Sequence, residues 1–273
     1  VASDAKSPLA LWHLLSLDAP TVAVLWTWFI ARACHRSLPV VSVVAMAAAV
    51  WMLYAADRLL DARTSEVDAL EARHHFHHRH RKAFLTGIVA ASVLLAALLP
   101  RIPPAAIHLY LILGGLVFGY FVVIHATENA HRLPKEIAVG VCFAAAVFIP
   151  TVARDSGLRP PLLPSALLFA SLCSLNCLFI YAWEHPSLSR PSPHAITRFA
   201  VKRLTGISLA VCAISAIMAV AGGRSLWSIY AAISLAAGIL LLLHRERASR
   251  GPLTLRAAAD LALLTPVTLL PFL

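Results

Sequence analysis

The sequence predicts an all-α, polytopic integral membrane protein, one helical bundle with about nine transmembrane helices and no separate soluble domain in residues 1–273. Three observations predict it. Hydrophobic residues make up 60% of the chain. Charged residues make up only 13%, where a soluble domain carries roughly a quarter. The charges are also gathered into short stretches between apolar runs of about 20 residues, the length at which a helix crosses the hydrocarbon core. Lipid offers the backbone no hydrogen bonds, so each run is expected to be helical.

The first run, Thr21 to Ala33, is short for a span unless it begins near Leu11. The second, Val40 to Asp57, ends at an acidic residue. Ala83 to Leu99 lies between Lys82 and Arg101, and Ala105 to Ile124 stops short of Arg132. Glu136 to Ala153 begins after Lys135 and ends at Arg154. Leu163 to Trp183 lies between two proline-marked loops, Pro160-Pro161 and Pro186 to Pro193. Leu204 to Ala221 and Leu226 to Leu243 follow, and Thr254 to Leu270 is the ninth. The N-terminus has no charged stretch followed by a small-residue cleavage site, so a signal peptide is not expected.

Lys and Arg set the orientation. The loops after the even-numbered helices, with their helix ends, hold sixteen of the 23 basic residues, and the opposite loops hold six. The positive-inside rule places the richer side in the cytoplasm, with the N-terminus inside and the C-terminus outside. A bacterial inner membrane is the expected location. The formal charge of +10 is then a topology signal, and no nucleic-acid partner is expected. The five cysteines lie in or beside apolar helices and read as packing residues rather than a disulfide framework. Trp12, Trp26, Trp28, Trp183 and Trp227 read as interfacial belt residues.

The chemistry-bearing residues cluster at helix ends. Asp57 and Asp61 are four apart, on one helical face. Two carboxylates so placed can hold Mg²⁺, an oxygen-seeking cation that bridges to phosphate oxygens. Arg58 and Arg63 flank them. A polar helix end with solvated salt bridges is the plainer reading. The sixth helix closes Tyr181-Ala182-Trp183-Glu184, an echo of Tyr54-Ala55-Ala56-Asp57 four helices earlier. The echo suggests a pseudo-repeat of helices 1–4 and 5–8, with Glu184 in the place of Asp57. Asn176 is a polar residue inside the sixth helix. Asp260 lies inside the ninth, one turn from Arg256, where a local pair is expected because charge inside a span is costly.

These features resemble the UbiA superfamily of intramembrane prenyltransferases. Asp57-Arg58-Leu59-Leu60-Asp61, followed by Arg63-Thr64, resembles the latter half of that family's first Asp-rich motif. Leu17-Asp18-Ala19-Pro20 resembles the approach to its first helix. Arg132-Leu133-Pro134-Lys135-Glu136 to Gly140, running to Pro150, resembles its fourth loop and fifth helix. The family's leading Asn-Asp falls here on Leu53 and Tyr54, and Glu184 and His185 stand where its second motif carries aspartates. The resemblance implies a polyprenyl diphosphate held through Mg²⁺, ionisation to an allylic cation and capture by a hydrophobic acceptor. It implies Asp57, Asp61 and Glu184 as catalytic metal ligands, and Arg58, Lys135, Arg198 and Lys202 as diphosphate partners, with Asn176 near the second motif. The alternative is a non-catalytic relative that binds lipid or metal, or serves as a subunit of a larger membrane complex.

The run Glu71 to Lys82 holds five histidines. If helical, His74 and His78 are one turn apart beside His77, a spacing that can hold Zn²⁺. The plainer reading is a basic amphipathic cap on the membrane surface.

Overall fold

Aliphatic runs that must satisfy their own backbone form helices, and each apolar run above is helical in the computed structural model, the ninth with a break. The structure describes residues 8–64, 76, 79–126, 134–185, 194–221 and 223–272. The helices are α1 (Pro8–Leu14), α2 (Asp18–Ala33), α3 (Val40–Thr64), α4 (Arg81–Leu98), α5 (Pro104–Ala126) and α6 (Lys135–Arg154). They continue as α7 (Arg159–Glu184), α8 (Ala195–Lys202), α9 (Leu204–Ala221), α10 (Gly223–Arg245), α11 (Pro252–Ala262) and α12 (Pro266–Leu269). No strand occurs among the described residues.

Seven stretches are long and apolar enough to cross a membrane, which fits an integral membrane protein. They are Val40–Leu60, Arg81–Arg101, Lys135–Arg154, Ser156–Glu184, Leu204–Ala221, Leu226–Arg245 and Thr254–Phe272. Two of the nine expected runs are shorter. Helix α2 has 16 residues, and the described apolar stretch of α5 is Pro104–Tyr120. Leu111, Leu116 and Phe118 on α5 and Ile217 and Val220 on α9 are exposed, as side chains facing lipid would be and as a soluble surface rarely allows.

The chain divides into two compact units, Val1–Val24 with Pro39–Ile102, and Leu25–Leu38 with Pro103–Leu273. In the first, α3 packs on α4. Gly87 lets α4 approach the Trp51 ring, which a Cβ at that position would meet at 2.6 Å. The same ring stacks on buried Phe84 at 6.3 Å between centroids.

In the second unit α7 is central, packing on α6, α9, α10 and α11. Its contact with α6 needs Gly140, because a Cβ there would lie 2.5 Å from the Ser174 backbone nitrogen and 2.8 Å from its Cα. Small residues permit this backbone approach where lipid gives helices no hydrophobic drive to associate. Pro150 sits inside α6 and is buried. It has no N–H, so the carbonyl four residues back loses its helical donor. That carbonyl belongs to Ala146, and the Tyr110 hydroxyl of α5 donates to it at 3.1 Å. Thr27 of α2 donates to the next carbonyl, Val147, at 3.3 Å.

The ninth expected helix is broken rather than continuous. Residues 263–265 form a turn between α11 and α12, ahead of Pro266. The Leu263 carbonyl freed at this break accepts from the Trp26 indole at 2.7 Å, and Thr265 donates to the Ala232 carbonyl of α10 at 2.9 Å. Trp26 is fully buried and packs on Phe169 at 4.3 Å. It is therefore a core residue and not the interfacial belt residue its position suggested. An indole N–H must find a partner when buried, and the broken helix supplies one.

Candidate functional site

The polar end of α3 is built around an inward-facing arginine. Helix α1 ends in a tight turn in which Ser16 takes the left-handed conformation, with φ of 58°. Its N–H bonds the His13 carbonyl at 3.1 Å, and the Leu17 N–H bonds the Trp12 carbonyl at 3.0 Å. This turn carries His13, Ser16 and Asp18 toward Arg58, and all four are buried. One guanidinium nitrogen of Arg58 donates to the His13 carbonyl at 2.6 Å and to the Ser16 hydroxyl at 3.1 Å. The other donates to the Asp18 carboxylate at 3.0 Å. The His13 ring nitrogen Nδ1 lies 2.7 Å from that same carboxylate oxygen, and the Ala19 N–H donates to the other oxygen at 2.9 Å. Arg58, expected beside a diphosphate, is thus committed to the α1–α2 turn.

Asp57 is exposed, one position along the helix from buried Arg58. Helix α3 runs unbroken to Thr64, so Asp61 lies one turn beyond Asp57 in the register expected of a carboxylate pair.

The second unit gathers the other expected residues at one end of its bundle. Glu184, at the end of α7, accepts from Arg256 of α11. Two turns earlier on α7, Asn176 donates to the Asp260 carboxylate at 3.1 Å. Advance along α7 corresponds to retreat along α11, so the two helices run antiparallel. The rungs are eight residues apart on α7 and four on α11, about 12 Å against about 6 Å of axial rise, so the helices cross at an angle and the long Glu and Arg side chains span the wider end. The sequence placed Arg256 and Asp260 as a pair on one helix. Each of them reaches across to α7, a link that spacing within one helix does not reveal.

A third tie joins this end. Thr197 of α8 donates to the Glu136 carboxylate in the first turn of α6 at 3.0 Å. It draws together the segments that carry Lys135 and Arg198. Lys135, Arg198 and Lys202 are exposed. Trp183 donates to His244 of α10 at 3.1 Å. Asn176 is buried and Glu184 half-buried, so the polar groups on this end of α7 are sheltered while the lysines and Arg198 are exposed.

At the other end of the same unit, Arg36 pairs with Asp155 at 2.6 Å. The Arg36 guanidinium, followed by the Gly157 N–H, holds the Asp155 carboxyl below its usual range. Burial pushes the neighbouring Cys34 thiol up to about 11, which leaves little thiolate at neutral pH and makes it a poor nucleophile. The five cysteines are all free thiols.

Asp57, Asp61 and Arg58 belong to the first unit, and Glu184, Asn176, Lys135, Arg198 and Lys202 to the second. His74, His77 and His78, with Arg132 and Arg190, lie outside the described residues. No family model, no curated protein and no solved structure matches the chain.

Proposed function

We propose that the protein is a UbiA-like membrane protein that binds an isoprenoid diphosphate together with Mg²⁺ and passes the prenyl group to a hydrophobic acceptor. The observation that carries this reading is the polar end of α3, where one unbroken helix sets Asp57 and Asp61 a single turn apart while Arg58 is locked into the fold. Carboxylate oxygens suit Mg²⁺, which keeps part of its water and bridges to phosphate oxygens. Bound there, the ion would neutralise charge on the departing diphosphate. Glu184 does not fit this metal set, because its carboxylate is already matched by Arg256. Lys135, Arg198 and Lys202 are exposed cations of the second unit, and Asn176 serves there as the partner of Asp260. Helices α2 and α5 complete a nine-span bundle on this reading. The basic loops put the N-terminus in the cytoplasm and the C-terminus outside, across a bacterial inner membrane.

The test is thermal stabilisation of purified protein by Mg²⁺ and a long-chain prenyl diphosphate. Together they are expected to raise the melting midpoint by several degrees, with neither effective alone. Asp57→Ala/Asp61→Ala is expected to lose the shift, measured against its own unliganded midpoint. A shift of equal size in the double variant contradicts the assignment.

A second reading is a non-catalytic lipid-binding relative or a subunit of a larger membrane complex. The internal pairing of Glu184 with Arg256 favours it, since an acid already neutralised is a weak metal ligand. Stabilisation without release of diphosphate in the presence of hydrophobic acceptors assigns this second reading.

A further inference from the structure

A cleft of about 310 Å³ opens in the second unit, lined by Arg32, His35, Arg36 and Ser37. Its four lining residues are all exposed, so it is open to the surrounding medium. The lining residues carry two guanidiniums, an imidazole and a hydroxyl, and one of the guanidiniums, that of Arg36, is paired with the Asp155 carboxylate. The cleft is shaped by the way α2 stops. His35 takes the left-handed conformation, with φ of 54°. Its N–H bonds the Arg32 carbonyl at 2.9 Å, and the Arg36 N–H bonds the Ala31 carbonyl at 2.8 Å. This closure satisfies the last carbonyls of the helix and folds Arg36 and Ser37 back beside Arg32. A residue other than glycine in this conformation is strained by roughly 1–2 kcal/mol, so the fold holds the turn against a local cost. The Arg36–Asp155 pair then ties it to the end of α6.

The cleft's depth argues for its occupant. Helix α6 is one of the spans, and it ends at Arg154, immediately before Asp155. The cleft therefore sits level with the end of a span, where lipid headgroups lie. Arg154 and Arg159 are also exposed there. This end is distinct from the one that carries Lys135, Glu184 and Arg256, since α6 and α7 each run from one to the other.

We infer that this cleft binds a phosphate group, supplied by the headgroup of an anionic membrane lipid. Guanidiniums donate paired hydrogen bonds that match phosphate oxygens. His35 and Ser37, which also line the cleft, carry further groups able to donate. Arg36, partly neutralised by Asp155, positions the turn, and Arg32 supplies the cation that the phosphate meets. The site thus anchors one end of the second unit to its leaflet.

The experiment is calorimetric titration of the purified full chain in neutral detergent with dioctanoyl phosphatidylglycerol and, separately, with inorganic phosphate. Saturable lipid binding is expected, weakened about five-fold by Arg32→Gln, the effect of one basic residue near a charged headgroup. Arg32→Lys is expected to retain most of it. Arg245→Gln, an exposed site at the other end of the unit, is expected to change nothing. Binding of the lipid without binding of inorganic phosphate assigns the headgroup as the source. Equal, Arg32-dependent binding of inorganic phosphate keeps the phosphate site and assigns a free anion. Unaltered binding in Arg32→Gln, or equal weakening by Arg245→Gln, overturns the inference.

Discussion

Arg58→Ala is expected to be among the most damaging single substitutions in the first unit, lowering stability by about 3–5 kcal/mol, the cost of leaving one member of a buried ion pair behind. Arg58 and Asp18 are both buried, and Arg58 also satisfies the His13 carbonyl and the Ser16 hydroxyl. The deletion leaves the buried Asp18 carboxylate with only the His13 ring and the Ala19 N–H and removes two further hydrogen bonds at the α1–α2 turn. A lysine cannot serve both sides of the network, because its single ammonium lacks the planar fork, so Arg58→Lys is expected to recover only part of the loss. Arg58→Leu/Asp18→Asn is expected to be less damaging than Arg58→Ala, since the uncompensated charge is gone. Unfolding in mixed detergent micelles gives the ranking. Equal losses for Arg58→Ala and the double variant would show that the charge is not what the site protects.

Gly140→Ala is the second large effect. The added methyl would lie 2.5 Å from the Ser174 nitrogen and 2.8 Å from its Cα. These are backbone atoms of α7, so no rotamer change relieves the clash and the two helices must part. Overpacking of this kind costs about 1–3 kcal/mol and occasionally more. Gly206→Ala on α9 is the matched control, because its added Cβ meets nothing within 4 Å. It is expected to be neutral or to gain up to about 1 kcal/mol from helix propensity. The thermal midpoint is therefore expected to fall in Gly140→Ala and to hold or rise in Gly206→Ala.

The helices were legible because apolar length and flanking charge are local properties. Val40, Leu204 and Ala221 are helix ends in the sequence reading and in the structure alike. The break at residues 263–265 was not legible, because Pro266 can be tolerated within a span, and what fixes the break is Trp26, more than 200 residues away in the chain. The same distance hid the role of Trp26, whose apolar neighbours suit a belt or a core equally well. Arg58 shows the limit most clearly at the candidate site. Its spacing from Asp57 and Asp61 put it beside a diphosphate, but a side chain one position along a helix points about 100° away, and its partners His13, Ser16 and Asp18 come from a turn forty residues earlier. The register of Asp57 and Asp61 was legible because it depends only on α3 being helical. The partners of Glu184 and Asp260 were not, because they depend on how α11 crosses α7.

The role proposed for the α3 carboxylates is to hold a divalent cation for a prenyl diphosphate. Electron paramagnetic resonance of Mn²⁺, a spectroscopic stand-in for Mg²⁺, tests it most directly. With a prenyl diphosphate present, the account predicts bound Mn²⁺ that Mg²⁺ displaces and that Asp57→Asn/Asp61→Asn abolishes, while Glu184→Gln leaves it in place. Mn²⁺ binding that survives the α3 substitutions, or that disappears with Glu184→Gln alone, would contradict the account.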